Sequence, residues 1–299
     1  MLRLLACLAL AVSMTACLGY SLVRKTESIG PRNVEVLRVQ TIDNIGAGQG
    51  IYHDRDAGLI YLYGDADPGI VREYRVEGDA RPKLVATGRS IALTRGGEDI
   101  IPHPTGLTRA GGLTFIGDTV RQQGVIWAID WDRALADGTL DNAILNQVVD
   151  DTAFNGTRPE FVMYDGHAYV ATSDYGNAGN EVRLLDPERL MTASRTSADG
   201  VILARYRCGP YVQTLHWLHD QQQLVLVQNQ QPGRLYRLTF VRMPGADPNA
   251  PNDLRVYQPL DIEGIEDELE GFALLDGESG LAITFSAMRE DNVRFIRLW

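Results

Sequence analysis

Cysteine is nearly missing from this chain: 299 residues hold three, at positions 7, 17 and 208. No Cys or His spacing of the kind that holds zinc occurs, and so few thiols exclude a disulfide framework. Helical periodicity is scarce as well, confined to turns near Arg133-Ala134-Leu135 and Glu188-Arg189-Leu190. The apolar run at residues 4–14 is too short to cross a bilayer, which takes about 20 residues. Positive charge is in deficit, with 28 Lys and Arg against 39 Asp and Glu and a net charge of −11. No basic stripe interleaved with aromatics offsets it, so nucleic acid is excluded as a partner. The same acidity suits a protein held beside an anionic surface and leaves carboxylates to hold a cation. No nucleophile with a partnered base can be picked out.

What is present begins with a leader. Met1-Leu2-Arg3, the apolar run and Thr15-Ala16-Cys17 supply the positive, apolar and small-residue regions of an export signal. Its end resembles the lipobox of bacterial lipoproteins: Ala16-Cys17 fits, Thr15 is acceptable, and Met14 stands where leucine is usual. That resemblance implies an acylated Cys17 as first residue of the mature protein and a membrane held through the lipid. Leu18, where aspartate would imply inner-membrane retention, implies the outer membrane of a Gram-negative envelope, facing the periplasm. The alternative is an ordinary cleaved signal with an incidental cysteine. The expected organisation is a signal at 1–16, a tether at 17–32 and one monomeric domain at 33–299. Cys208 then remains the single thiol, and its place after the alternating run 201–206 reads as burial of a small apolar side chain.

The domain is a repeat, the feature that decides the architecture. A polar-small-apolar opening recurs as Gln49-Gly50-Ile51, Thr105-Gly106-Leu107, Glu160-Phe161-Val162, Gln213-Thr214-Leu215 and Glu270-Gly271-Phe272, at intervals of 56, 55, 53 and 57. A second position keeps step with it: Asp65, Asp118, Asp174, Asn229 and Ser286. Strands with period-two alternation, hence one buried face, follow at 71–76, 125–131, 181–185, 234–240 and 293–298. A fourth strand is available at 83–93, 143–149, 201–206 and 254–260, while the fifth repeat runs out of chain at Trp299. The unassigned segment 34–42 (VEVLRVQTI) can complete it. Four-stranded antiparallel units set radially are propeller blades, and a blade shared between the termini removes two exposed edges. The expectation is an all-β, five-bladed propeller. A larger ring with one degenerate blade is the rival, because about 55 residues exceeds the usual propeller period of 40–50. A sandwich does not predict five copies in step.

Both in-step positions converge on one face. One ring is Gln49, Thr105, Glu160, Gln213 and Glu270; the other is Asp65, Asp118, Asp174, Asn229 and Ser286. Connections into the blades add His103, Arg158 and the acidic run 263–268. Such loops on a rigid scaffold are the usual place for binding. Asp and Asn after a strand also form turns, and polar residues can simply line water. Glu160 and Glu270, aimed into one space, need a proton, a partner such as Arg158, or calcium. His103 is held stiffly between prolines, and His216 and Trp217 read as packing.

The blade pattern looks like the broad propeller superfamily of NHL-type, gluconolactonase-like and phytase-like proteins. Its metal-dependent members imply a channel site here at Glu160, Asp174, Asn229 and Glu270. Five-bladed glycosidases place carboxylates on the innermost strands of the first three blades, where this chain has Gln49, Thr105 and Glu160. Two functions are therefore expected as alternatives. One is an envelope lipoprotein whose upper face binds a small-molecule or protein ligand. The other is a periplasmic calcium-dependent hydrolase of a sugar, lactone or phosphate ester, with His103, Arg158, Glu160 and Glu270 as its catalytic candidates.

Overall fold

The computed structural model describes residues 31, 33–78, 81–230, 235–245, 252–262, 268–284 and 290–299. Cys17, Ser286 and residues 263–267 lie outside them. The chain opens with β1 (Val34–Gln40). Blade one is β2 (Gly48–Asp54), β3 (Leu59–Gly64), β4 (Ile70–Glu77) and β5 (Lys83–Ala92), and a small hairpin of β6 (Thr94–Arg95) and β7 (Glu98–Asp99) follows. Blade two is β8 (Pro104–Ala110), β9 (Leu113–Val120), β10 (Gln123–Ile129) and β11 (Ile144–Asp150). Blade three is β12 (Glu160–Tyr164), β13 (His167–Thr172), β14 (Glu181–Leu185) and β15 (Ile202–Arg207). Blade four is β16 (Val212–Leu218), β17 (Gln223–Gln230), β18 (Leu235–Arg242) and β20 (Arg255–Ile262), with β19 (Asn252–Asp253) instead joining β15 of blade three in parallel. Blade five is β21 (Leu269–Leu274), β22 (Ser279–Thr284) and β23 (Val293–Leu298), and its outer strand is β1.

The expected five-bladed propeller is therefore the fold, and the shared blade closes it. β1 runs antiparallel to β23 from Val34 opposite Leu298 to Gln40 opposite Val293. Just beyond the pair, fully buried Asn292 accepts from the backbone N–H of Ile42 at 2.8 Å and donates to its carbonyl at 2.9 Å. One side chain thus satisfies both backbone groups of a residue 250 positions away. Buried peptide groups left without such partners are costly, so this clamp and the strand pairing act together.

Five apolar clusters hold the blades, one between each neighbouring pair, and the fifth joins blade five to blade one. Strand alternation sorts side chains between them. Along β3, Leu59, Tyr61 and Tyr63 pack toward blade two, while Ile60 and Leu62 pack toward blade five. Along β10, Val125, Trp127 and Ile129 face blade one, and Ile126 and Ala128 face blade three. Both strands are buried on both faces, which corrects the expectation from alternation of a single buried face at 125–131. A second correction concerns residues 125–131. The strand stops at Ile129 because Asp130 caps α1 (Trp131–Asp137), accepting from the Arg133 N–H, and Gly138 ends that helix at φ 69°. Asp186 caps α2 (Pro187–Leu190) at the corresponding place in blade three. Both helices fall where the sequence showed helical turns. Among the described residues no helix is long and apolar enough to cross a membrane.

Candidate functional site

A repeated irregularity builds the upper end of the central channel, where the innermost strands begin. In blades one, two, four and five the first strand slips by one residue against the second. The slips fall between Gly48 and Gly50, Pro104 and Gly106, Val212 and Thr214, and Leu269 and Gly271. The residues left out of the ladder are Gln49, Thr105, Gln213 and Glu270. A bulge of this kind re-aims the extra side chain. The small residue that follows is required by crowding at the axis: a Cβ on Gly271 would lie 2.8 Å from Gly50 Cα, and one on Gly106 would lie 2.6 Å from Pro159 Cδ. The polar-small-apolar opening is thus the sequence form of a bulge beside the channel.

In blade three the first strand carries no such bulge. Glu160 pairs normally with Ala171, and the ladder runs unbroken to Tyr164 opposite His167. Because Pro159 abuts Gly106, the residue level with the four bulges is Arg158, and Glu160 sits one step lower with Tyr52, Thr108 and His216. This corrects the expectation that Glu160 and Glu270 are equivalent. The two carboxylates hold different partners: Glu270 accepts from Gln213 Nε2 at 3.0 Å, whereas Glu160 accepts from the Trp217 N–H at 2.8 Å. Calcium shared by this pair does not fit that arrangement. Among the described residues no three His, Cys, Asp or Glu side chains group as metal ligands.

The upper mouth is a network around Arg158. Its buried guanidinium donates Nε to the Gln213 carbonyl at 3.0 Å and Nη1 to the Asn155 carbonyl at 2.7 Å. Burial pulls its pKa down to about 10, against the opposing pull of Glu270 and Asp174. The Gln213 amide also reaches Glu268 at 3.3 Å, bridging two carboxylates. Above Arg158 lies Tyr175, 5.8 Å from ring centroid to guanidinium, and its phenol is pushed up to about 12 by burial and then by Glu268 and Glu270. Tyr211 packs against Tyr175 with ring centroids 5.5 Å apart and takes φ 58°, a left-handed conformation uncommon for a bulky residue. Beside them Phe154 is 75% exposed. Neither Tyr211 nor Phe154 stood out in the sequence; the strain at Tyr211 is visible only in the backbone.

The second in-step ring is turned toward backbone. Asp65 accepts from the Ala47 N–H at 2.7 Å, Asp174 from Phe154 at 2.9 Å and Asn229 from Leu269 at 3.0 Å. Asp118 accepts from Thr119 at 2.8 Å, and burial lifts its pKa to about 7. These side chains fasten the loops that lead into the blades. His103 is part-exposed, with Nδ1 4.0 Å from Asp65, and buried Thr105 donates to the Thr157 carbonyl. Buried Gln49 completes the ring. Cys208 is part-buried against the core between blades three and four, and burial lifts its thiol to about 12.

Lower down, Glu160 lies 3.8 Å from His216 Nδ1. Burial lifts the carboxyl to about 8 and drops the imidazole to about 3, so both partners are neutral at pH 7 and the approach is not an ion pair. His216 Nε2 accepts the Leu274 N–H at 3.1 Å, which independently places its proton on Nδ1.

No protein-family model matches the sequence, and no curated protein matches it significantly. Solved propellers share the fold. Glutaminyl cyclase of Myxococcus xanthus aligns at 12% identity and TM-score 0.50, covering 90% of this chain and 97% of that one. The PQQ-bound aldose sugar dehydrogenase of Streptomyces coelicolor aligns at 13% identity and TM-score 0.52, covering 89% and 98%. At such identities the likeness is one of fold alone.

The protonated Glu160 generates a prediction about pH. A carboxyl whose folded pKa is raised stabilises the fold below its unfolded pKa, and that contribution is lost as pH rises toward the folded value. Stability relative to Glu160→Gln should therefore fall between about pH 5 and pH 8, by at most about 1.4 kcal/mol per unit, while the histidines that burial holds neutral, His216 foremost, push both proteins the opposite way below about pH 6.5. Glu160→Gln removes the contribution of this carboxyl and leaves those of Asp118 and of the histidines. Urea titrations across that window check it, and equal slopes in the two proteins would contradict it.

Proposed function

We propose that this protein is an envelope lipoprotein, anchored through Cys17 to the outer membrane and facing the periplasm, whose propeller binds a cationic ligand at its upper mouth. The ligand carries an amine or quaternary ammonium group, either free or on a protein partner. The supporting observation is the aromatic rim: Phe154, 75% exposed, stands beside the Tyr175–Tyr211 pair, above carboxylates Glu268 and Glu270. Exposed aromatic faces over anionic groups attract cations through ring quadrupole and charge together. Arg158 neutralises part of that charge, and the net charge of −11 has the same sign as the carboxylates of the mouth. A left-handed Tyr211 fits this role, since backbone strain of that kind gathers at binding sites. One copy of the chain supplies all of these groups, and the protein is taken to act as a monomer.

The calcium-dependent hydrolase reading needs Glu160 and Glu270 on one ion. Their separate levels and partners leave it without support.

Choline and spermidine are suitable probes, followed by intrinsic fluorescence and by melting temperature. Saturable binding is expected for at least one, weakened about tenfold by Phe154→Ser with Tyr211→Ser, which corresponds to about 1.4 kcal/mol. An uncharged analogue such as 3,3-dimethylbutanol should bind no better than the double variant does. Failure of both probes on wild type, or equal affinity in the variant, would refute the cationic reading. The anchor has its own assay: a fatty-acid analogue supplied to growing cells should label wild type and not Cys17→Ala. Equal labelling would remove Cys17 as the acceptor.

A further inference from the structure

The opposite end of the channel holds a second chamber, distinct from the upper mouth in place and in charge. Its volume is about 400 Å³, and its wall includes Tyr52, His53, Glu160, Phe161, His216 and Trp217. That volume lies within the range of small-molecule sites, roughly 300–1,000 Å³.

The backbone of one residue organises the wall. The Leu274 N–H donates to His216 Nε2 at 3.1 Å, and the Leu274 carbonyl accepts from His53 Nδ1 at 3.0 Å. An imidazole that accepts at one nitrogen is neutral, so His216 presents an N–H at Nδ1. The neutral His53, donating through Nδ1, presents a lone pair at Nε2. Two imidazoles bound to the backbone of the same residue thus offer opposite hydrogen-bonding roles, fixed by backbone geometry. Glu160 adds a carboxyl that is 14% exposed and has its Oε1 tied to the Trp217 N–H. The charges in this wall balance: Arg109 Nη1 pairs with Asp54 Oδ2 at 2.8 Å, its guanidinium also lying over the Trp131 ring at 4.7 Å, and Arg55 and Asp56 are exposed. Tyr52 is oriented by its hydrogen bond to the Arg109 carbonyl at 3.3 Å.

A wall with matched neutral donors and acceptors, apolar ring surface and a self-neutralised ion pair suits one ligand class. A ligand charge inside the chamber would be desolvated away from Arg55 and Asp56, whose exposed charges stay in water, whereas each hydroxyl of a neutral ligand can both donate and accept. We propose that the lower chamber is a binding site for a small, neutral, polyhydroxylated molecule, of the mono- or disaccharide class. Glu160 and His216 serve as donors and His53 as acceptor, with Tyr52, Phe161 and Trp217 forming the apolar side. The raised pKa of Glu160 supports the same assignment, because it keeps the carboxyl a donor at neutral pH. The site shares no side chain with the cation-binding mouth, so either can fail without the other.

The test uses the full chain with D-glucose, maltose and myo-inositol as probes, and glucose 6-phosphate as the charged comparison. Saturation-transfer NMR and Trp fluorescence report binding. At least one neutral probe should saturate at roughly millimolar concentration, a Kd ordinary for a small polar ligand with few contacts. His53→Phe, with a melting temperature measured alongside to show that the variant is folded, should weaken that probe about tenfold, the loss of one hydrogen bond to the ligand. Glu160→Gln, which keeps a neutral donor, should bind within about threefold of wild type. The idea fails if no neutral probe saturates, if His53→Phe leaves affinity unchanged, or if glucose 6-phosphate binds more tightly than glucose.

Discussion

Burial of both faces of every blade is the constraint on which this structure depends. A sheet with one wet face can stand at the edge of a fold, but β3, β10 and β22 send alternate side chains into two different clusters. Each blade therefore needs a neighbour on either side, and only a closed ring supplies them. Closure falls to β1, the outermost strand of blade five and the most exposed of that blade, fixed by its ladder to β23 and by Asn292 gripping Ile42. The apolar area lies between blades, while the link that keeps the circle shut is a polar one.

Closing the ring forces five backbones together at the axis, and this crowding shapes both candidate sites. Where β2, β8, β16 and β21 begin, glycine or threonine follows a bulged polar residue, since larger side chains at Gly106 or Gly271 would strike the next blade. Gly50 is small for a related reason: Tyr63 comes across it to the backbone of Leu107, buried and within electrostatic reach of Glu160 and Glu270. The polar side chains displaced by the bulges gather at one end, where acidic groups predominate. At the other end Leu274 ties two histidines into neutral forms. The same scaffold thus carries an anionic aromatic mouth and a chamber whose charges balance.

Much of the fold was legible in the sequence because a propeller writes its geometry as a period. The intervals near 55 residues, the alternation and the orphan strand at 34–42 all mark positions that the structure repeats. Register within a blade was less legible. Glu160 aligned with Glu270 because blade three offers a polar residue before an apolar run, yet its missing bulge shifts the true counterpart to Arg158. The cue was Pro159, a residue without an N–H that ends the ladder just above Glu160. His53 and His216 were hidden for a different reason: their pairing runs through the backbone of Leu274, more than fifty residues from either, and no periodicity encodes such a contact. Trp131 looked like the end of a strand because an apolar residue continues the alternation, and only the capping Asp130 reveals the helix.

Native-state amide hydrogen exchange tests the closed ring most directly. If β1 is an integral strand of blade five, the hydrogen-bonded amides of β1 and β23 should be protected alike and should exchange through the same global opening, with matching dependence on denaturant. Were the β1 amides to exchange orders of magnitude faster while β23 kept full protection, the ring would be stable without its N-terminal strand, and closure would not be the constraint that organises the molecule.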